Sequence, residues 1–128
     1  MKKAAARAPA PAPTQDLRIT LKLDAAGIGG LGPGKVRLLE LIEEHGSISA
    51  AGRSIGMSYR RAWQIVDSLN RMCAEPVVVG QIGGANGGGA QLAPVGRELI
   101  RCYRRMQKKA AAAVSAELRQ FEGLLKDP

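Results

Sequence analysis

The sequence predicts a mainly α fold with a small β component, and three stretches carry that prediction. Residues 47–70, SISAAGRSIGMSYRRAWQIVDSLN, read as two short helices joined by a tight turn. Residues 76–92 read as a hairpin with a glycine-rich tip, and Pro94 opens a long amphipathic helix. A helix pair followed directly by a hairpin is the order of a winged helix-turn-helix, here with a long C-terminal dimerisation helix. The expected division is a disordered basic Ala/Pro tail over 1–16, the winged helix-turn-helix over 17–93 and the dimerisation helix over 94–126.

The first 16 residues, MKKAAARAPAPAPTQD, alternate Ala and Pro and offer nothing to bury. They have positive charges but no apolar stretch, so they do not read as a secretory signal. From Leu17 to Asp24, Leu and Ile alternate with Arg, Thr, Lys and Asp, the pattern of a half-buried strand with Leu17, Ile19, Leu21 and Leu23 facing inward. The glycine-rich AAGIGGLGPG then serves as a turn or a short hairpin return. It lacks the G-K-[ST] ending of a phosphate loop.

Lys35 to His45 is the first firm helix, with a wide apolar stripe from Val36, Leu38, Leu39, Leu41 and Ile42, ended by Gly46. Ser47 caps the next helix, whose apolar face is Ile48, Ala51 and Ile55, and small residues at Ala50, Ala51 and Gly52 let its partner cross closely. Gly56 makes the turn and Met57 plugs the space beneath it. Ser58 caps the second helix of the pair, which buries Ala62, Ile65, Val66, Leu69, Met72 and Cys73 and turns Tyr59, Arg60, Arg61, Gln64, Ser68 and Arg71 outward. Trp63 is expected to be a packing anchor between this helix and the hairpin.

Pro76 stops that helix, and Val77, Val78 and Val79 favour the pleated state. GGANGGGA forms the tip, Gln91 and Leu92 the return, and Gly87 and Gly88 leave room for a phosphate backbone to approach. The last helix carries a stripe at Leu99, Tyr103, Met106, Val114, Leu118 and Phe121, beyond what a three-helix core can cover. Pairing with a second copy is the favoured reading over lying on a membrane, because the polar face is crowded and the apolar face poor in aromatics.

Nineteen Lys and Arg against eleven Asp and Glu give the 128-residue chain a formal charge of +8, which predicts a polyanionic partner. Cys73 and Cys102, the only cysteines, read as small packing residues, and the sole histidine, His45, as a helix-end group. No metal site, cofactor or nucleophile–base pair is expected, hence no enzyme; without a transmembrane run the simplest location is cytoplasmic.

The run GPGKVRLLELIEEHGSISAAGRSIGMSYRRAWQIVDSLN, followed by GGANGGGAQLAPVGRELIRCYRRM, resembles the N-terminal DNA-binding domain of ModE-type molybdate-responsive regulators, especially short forms that contain little else. Three separated segments agree in order and spacing across about residues 17–106. The resemblance implies a winged helix-turn-helix related to that of LysR regulators, dimerising through its terminal elements and acting in transcription. In that family molybdate is bound by later domains, and nothing here matches their oxyanion ligands, so molybdate binding by this chain is not expected. The reading is a homodimer on double-stranded DNA. Ser58, Tyr59, Arg60, Arg61 and Gln64 enter the major groove, and Ser47 and Ser49 meet phosphates. The alternative is a winged-helix module that binds protein, against which the exposed Arg60 and Arg61 argue.

Overall fold

A computed structural model of the protein describes residues 17–26, 29–81 and 89–127. The expected tail over 1–16 and the hairpin tip, with Gly87 and Gly88, lie outside the described residues. Its elements in order are β1 (Leu23–Ala25), β2 (Gly29–Leu31), α1 (Pro33–His45), α2 (Ile48–Ser54), α3 (Tyr59–Met72), β3 (Val78–Gln81), β4 (Gly89–Leu92), α4 (Pro94–Ala113) and α5 (Ser115–Glu122). This is a winged helix: α2 and α3 form the helix-turn-helix, α1 backs it, and β3 and β4 form the wing.

Helix α1 is the centre of the core. Proline at its first turn supplies a fixed φ and lacks only a donor that would have gone unpaired. Gly46 ends it in the left-handed region at φ 71°, its N–H donating to the Ile42 carbonyl at 2.8 Å. Val36, Leu38, Leu39 and Ile42 are fully buried, against Ile48 and Ala51 of α2, Ala62, Val66 and Leu69 of α3, and Ala90 and Leu92 of β4. The wing is joined to this core through its backbone, because the Ala90 N–H donates to the Gly46 carbonyl at 2.9 Å. Strands β3 and β4 pair antiparallel from Val78 opposite Leu92 to Gln81 opposite Gly89.

Several features differ from the sequence reading. The expected strand over 17–24 pairs only from Leu23 to Ala25, against Gly29–Leu31, and Leu23 faces outward. Residues 17–21 do alternate between half-buried and exposed, but they are covered by α4 and α5 rather than by a strand. The long helix is two helices. Val114, at φ −112° and ψ 18°, leaves the helical region between α4 and α5. This β-branched residue follows Ala110–Ala113, whose methyl side chains offer little packing to hold the helix. Ile55 is exposed at the end of α2, because the helix stops at Ser54 and Ile55, as the capping residue, has left the helical region at φ −119° and ψ 20°. Cys102 is also exposed rather than packed.

Tyr103 departs furthest from expectation. It is fully buried inside its own chain, and its hydroxyl donates to the Leu21 carbonyl at 2.6 Å. A segment that the sequence presented as a strand therefore closes over α4 and covers this part of the stripe.

Candidate nucleic-acid interface

The start of α3 is fixed by local chemistry. Gly56 takes φ 70°, a conformation that side chains disfavour, and the Met57 N–H returns to the Gly52 carbonyl at 2.8 Å. The Ser58 hydroxyl then accepts from the Arg61 N–H at 3.1 Å and caps the helix. Close crossing of α2 and α3 depends on Gly52: a Cβ there would stand 3.1 Å from that of Ala62.

With 3.6 residues per turn, α3 divides into a buried face and three outward strips. The middle strip is a ridge of Arg60, Gln64, Asp67 and Arg71, all exposed, with Arg71 paired to Asp67 at 3.3 Å. The Arg60 guanidinium has no hydrogen bond or ion pair among the described residues. The wing-side strip is Tyr59, Trp63 and Asn70. Trp63 is 44% exposed and Tyr59 is 60% exposed, with their rings edge to face at 6.2 Å. Together with Ile48, Ser49 and the strands of the wing they line a cleft of about 260 Å³. Trp63 is thus at the expected place between helix and wing, but not as a buried anchor: the small wing residues Gly80 and Gly89 leave its ring uncovered. The third strip carries Arg61 and Ser68 and faces the β1–β2 hairpin.

The residues singled out from the sequence are therefore not one cluster. Tyr59, Arg60 and Gln64 share the open ridge and its wing-side edge, whereas Arg61 is turned to the hairpin. Ser58 and Ser47 both use their hydroxyl oxygens as caps, Ser47 accepting from the Ala50 N–H at 3.0 Å. Ser49 accepts from the Arg53 guanidinium at 2.8 Å. Each hydroxyl retains its own proton to donate.

The cations of α4 are differently committed. Arg104 grips Glu40 of α1 with two bonds, of 2.7 and 3.1 Å, and Arg97 reaches Glu43 at 3.2 Å. The hydrogen bond from Arg104 holds the Glu40 carboxyl below its ordinary range, outweighing partial burial. Burial raises the Tyr103 phenol and the Cys73 thiol. These arginines are fasteners between helices, in contrast to Arg60, whose guanidinium has no partner among the described residues.

Along α4 and α5, Leu99 is half-buried against the core and Tyr103 is inside it. Met106, Val114 and Leu118 are half-buried, and Phe121 is 52% exposed. The last three, with Ile19 and Glu117, surround a shallow apolar depression. The unpartnered stripe is thus shorter than the sequence implied and lies toward the C-terminal end.

Sequence reasoning missed Asn70. Its Oδ1 accepts from the Val77 N–H at 2.8 Å and the Val78 N–H at 3.2 Å, fixing the first wing strand to the end of α3. An Asn on the wing-facing side of the last turn of a four-turn helix, shortly before Pro76, was the available signal. Gly96 was also missed: any side chain there would run into the Val77 carbonyl.

No family model matches the chain. Among curated proteins it is 40% identical over 80 residues to the molybdenum transport protein ModE of Azotobacter vinelandii, a match covering 62% of this chain and 30% of that one. It is 43% identical over 86 residues to the molybdenum-pterin-binding protein MopB of Rhodobacter capsulatus, covering 67% and 32%. To the DNA-binding transcriptional dual regulator ModE of Escherichia coli K12 it is 33% identical over 103 residues, covering 78% and 38%. The matched part spans about a third of the length of these relatives. Among solved structures, ArgP from Mycobacterium tuberculosis overlaps at a TM-score of 0.48 and 20% identity, over 68% of this chain and 30% of that one. No helix among the described residues is long and apolar enough to cross a membrane.

Proposed function

The chain carries the N-terminal region of the ModE family, and from that premise we propose that it is a sequence-specific DNA-binding regulator of transcription, working as a homodimer. The observation that carries the reading is the ridge of α3. It presents Arg60 and Gln64 outward, with an uncommitted guanidinium, between two flanking hairpins. An α-helix of 10–12 Å diameter fits the major groove, about 12 Å wide. There Arg60 bonds the O6 and N7 edge of guanine and Gln64 the N6 and N7 edge of adenine. Tyr59 and Trp63 add apolar contact to thymine methyls or sugars on the wing side. Ser58, at the cap of α3, enters the groove with them, Ser47 and Ser49 donate to phosphates, and Gly87 and Gly88 let the wing tip approach the backbone.

Nothing in this reading calls for catalysis by the chain. The apolar depression around Val114, Leu118 and Phe121 is the surface for the second copy, with the half-buried Met106 extending the apolar face toward α4, whereas Leu99 and Tyr103 pack within the chain and support it from the core. Two-fold pairing gives two ridges for two half-sites. The molybdenum chemistry in the relatives' names is not carried over to this third of their length; calorimetric titration with molybdate is expected to show no micromolar binding.

The test is fluorescence anisotropy with a selected site and its single-base variants. Arg60→Ala should relax preference at one base pair per half-site, losing about 1–3 kcal/mol of discrimination. Unchanged affinity and preference in both Arg60→Ala and Gln64→Ala would remove the groove assignment.

A further inference from the structure

The recognition ridge has a wing on one side. On its other side the β1–β2 hairpin forms a basin lined by Lys22, Lys35 and Arg61, with Asp24 as the one carboxylate. The floor is main chain rather than side chain, because Gly29, Gly30, Gly32 and Gly34 are the residues beneath it, and a Cβ on Gly34 would meet nothing within 4 Å. The basin is open to solvent and holds about 580 Å³. The hairpin lies directly against α3, with Gly29 3.8 Å from the Ser68 hydroxyl by its would-be Cβ.

We propose that this basin is a second DNA-backbone contact, in which the N-terminal hairpin acts as a counter-wing on the phosphate strand opposite the one met by the β3–β4 wing. The inference rests on the DNA-binding reading above and deepens it. A helix lying in the major groove has a phosphate backbone along each side. The wing accounts for one of them. The other backbone lies against the strip of α3 that carries Arg61, and so against the hairpin.

Three cations against one carboxylate give the basin the sign that phosphate requires. Asp24 only partly offsets Lys22, at 3.9 Å with both side chains well exposed. Lys35 donates one of its three protons to the Gly30 carbonyl at 2.8 Å, which holds its ammonium at the rim while two donors stay free. The Arg61 guanidinium, which has no partner among the described residues, can span from ridge to basin. The contact is to phosphate and not to bases, so it adds affinity and register without sequence preference.

The test uses the full chain and measures affinity for a random-sequence duplex from 50 to 200 mM salt. Wild type is compared with the double variant Lys22→Gln/Lys35→Gln and with Lys108→Gln/Lys109→Gln, which removes the same charge from α4. Each phosphate contact contributes about 0.9 to the slope of log affinity against log salt. The hairpin variant should lower the slope by about 1.8, so its affinity should change about 12-fold less than wild type's across that fourfold range. On the selected site, phosphate-ethylation interference should lose one of two phosphate clusters per half-site, while base preference stays that of wild type. The α4 variant should keep both clusters.

Folding is checked by circular dichroism, and Lys22→Gln alone, at an exposed position, is the second variant. A hairpin variant that folds, binds DNA and keeps the wild-type slope and both clusters would overturn the counter-wing while leaving recognition by α3 intact. Wild-type protein that binds no duplex at any salt would overturn both readings.

Discussion

Replacing Asn70 by Ala tests how the wing is held. Its Oδ1 is the acceptor for the N–H groups of Val77 and Val78, which are 0% and 5% exposed. Water cannot replace that acceptor without opening the junction between α3 and β3. A buried donor left without a partner costs about 1–3 kcal/mol, and the shorter of the two bonds, 2.8 Å to Val77, carries most of it. In a domain of this size that corresponds to a fall in melting temperature of roughly 5–15 °C. Asn70→Asp keeps the acceptor for both N–H groups but turns a carboxylate oxygen toward the Val78 carbonyl that Nδ2 met at 3.4 Å, so it should recover part of the loss. Thermal melts followed by circular dichroism measure the difference, and amide exchange at Val77 reports whether the clamp has opened. A melting temperature for Asn70→Ala within about 2 °C of wild type, with Val77 still protected, would refute the clamp.

Gly96→Ala should destabilise by roughly 1–3 kcal/mol, because its methyl would be driven into the Val77 carbonyl; denaturant unfolding gives the value. Glu40→Gln should cost about 1 kcal/mol or less at neutral pH, since the pair with Arg104 is partly solvated. Glu40 has a depressed folded-state pKa, so its contribution is present above its unfolded value and is lost as pH falls through the folded one. The stability gap between wild type and Glu40→Gln should therefore narrow in melts taken at successively lower pH, and close once the folded-state carboxyl is protonated. Leu118→Asp with Phe121→Asp should give monomers of unchanged helix content with weaker operator binding; a wild-type monomer in sedimentation at micromolar concentration would contradict the dimer.

Much of the fold was legible because it is written in local chemistry. The caps at Ser47 and Ser58, the turn at Gly56, the stop at Gly46 and the stripe of α1 all lie where short-range rules put them. What sequence periodicity did not reveal depends on contacts distant in the chain. The stripe of α4 marked Tyr103 as apolar and helical, but not that residues 17–21 would fold back over it, 82 positions away. Trp63 likewise looked like core because large aromatics usually are. The glycines of the wing leave it uncovered, and that is a property of the partner strand, not of the helix. At the site, the outward residues of α3 could be picked out one by one. Their division between ridge, wing side and hairpin side needed the neighbours on each flank.

The central claim is that the ridge of α3 reads base edges in the major groove, and selection of bound sites from a random duplex pool tests it most directly. Run at one fixed salt concentration, wild type should enrich a two-fold symmetric site with half-sites about 34–36 Å apart, or a multiple of that. Arg60→Ala, selected in parallel, should yield the same spacing with one base pair per half-site no longer specified. A pool that stays unenriched with wild type, or an identical site from Arg60→Ala and from Gln64→Ala, would contradict it.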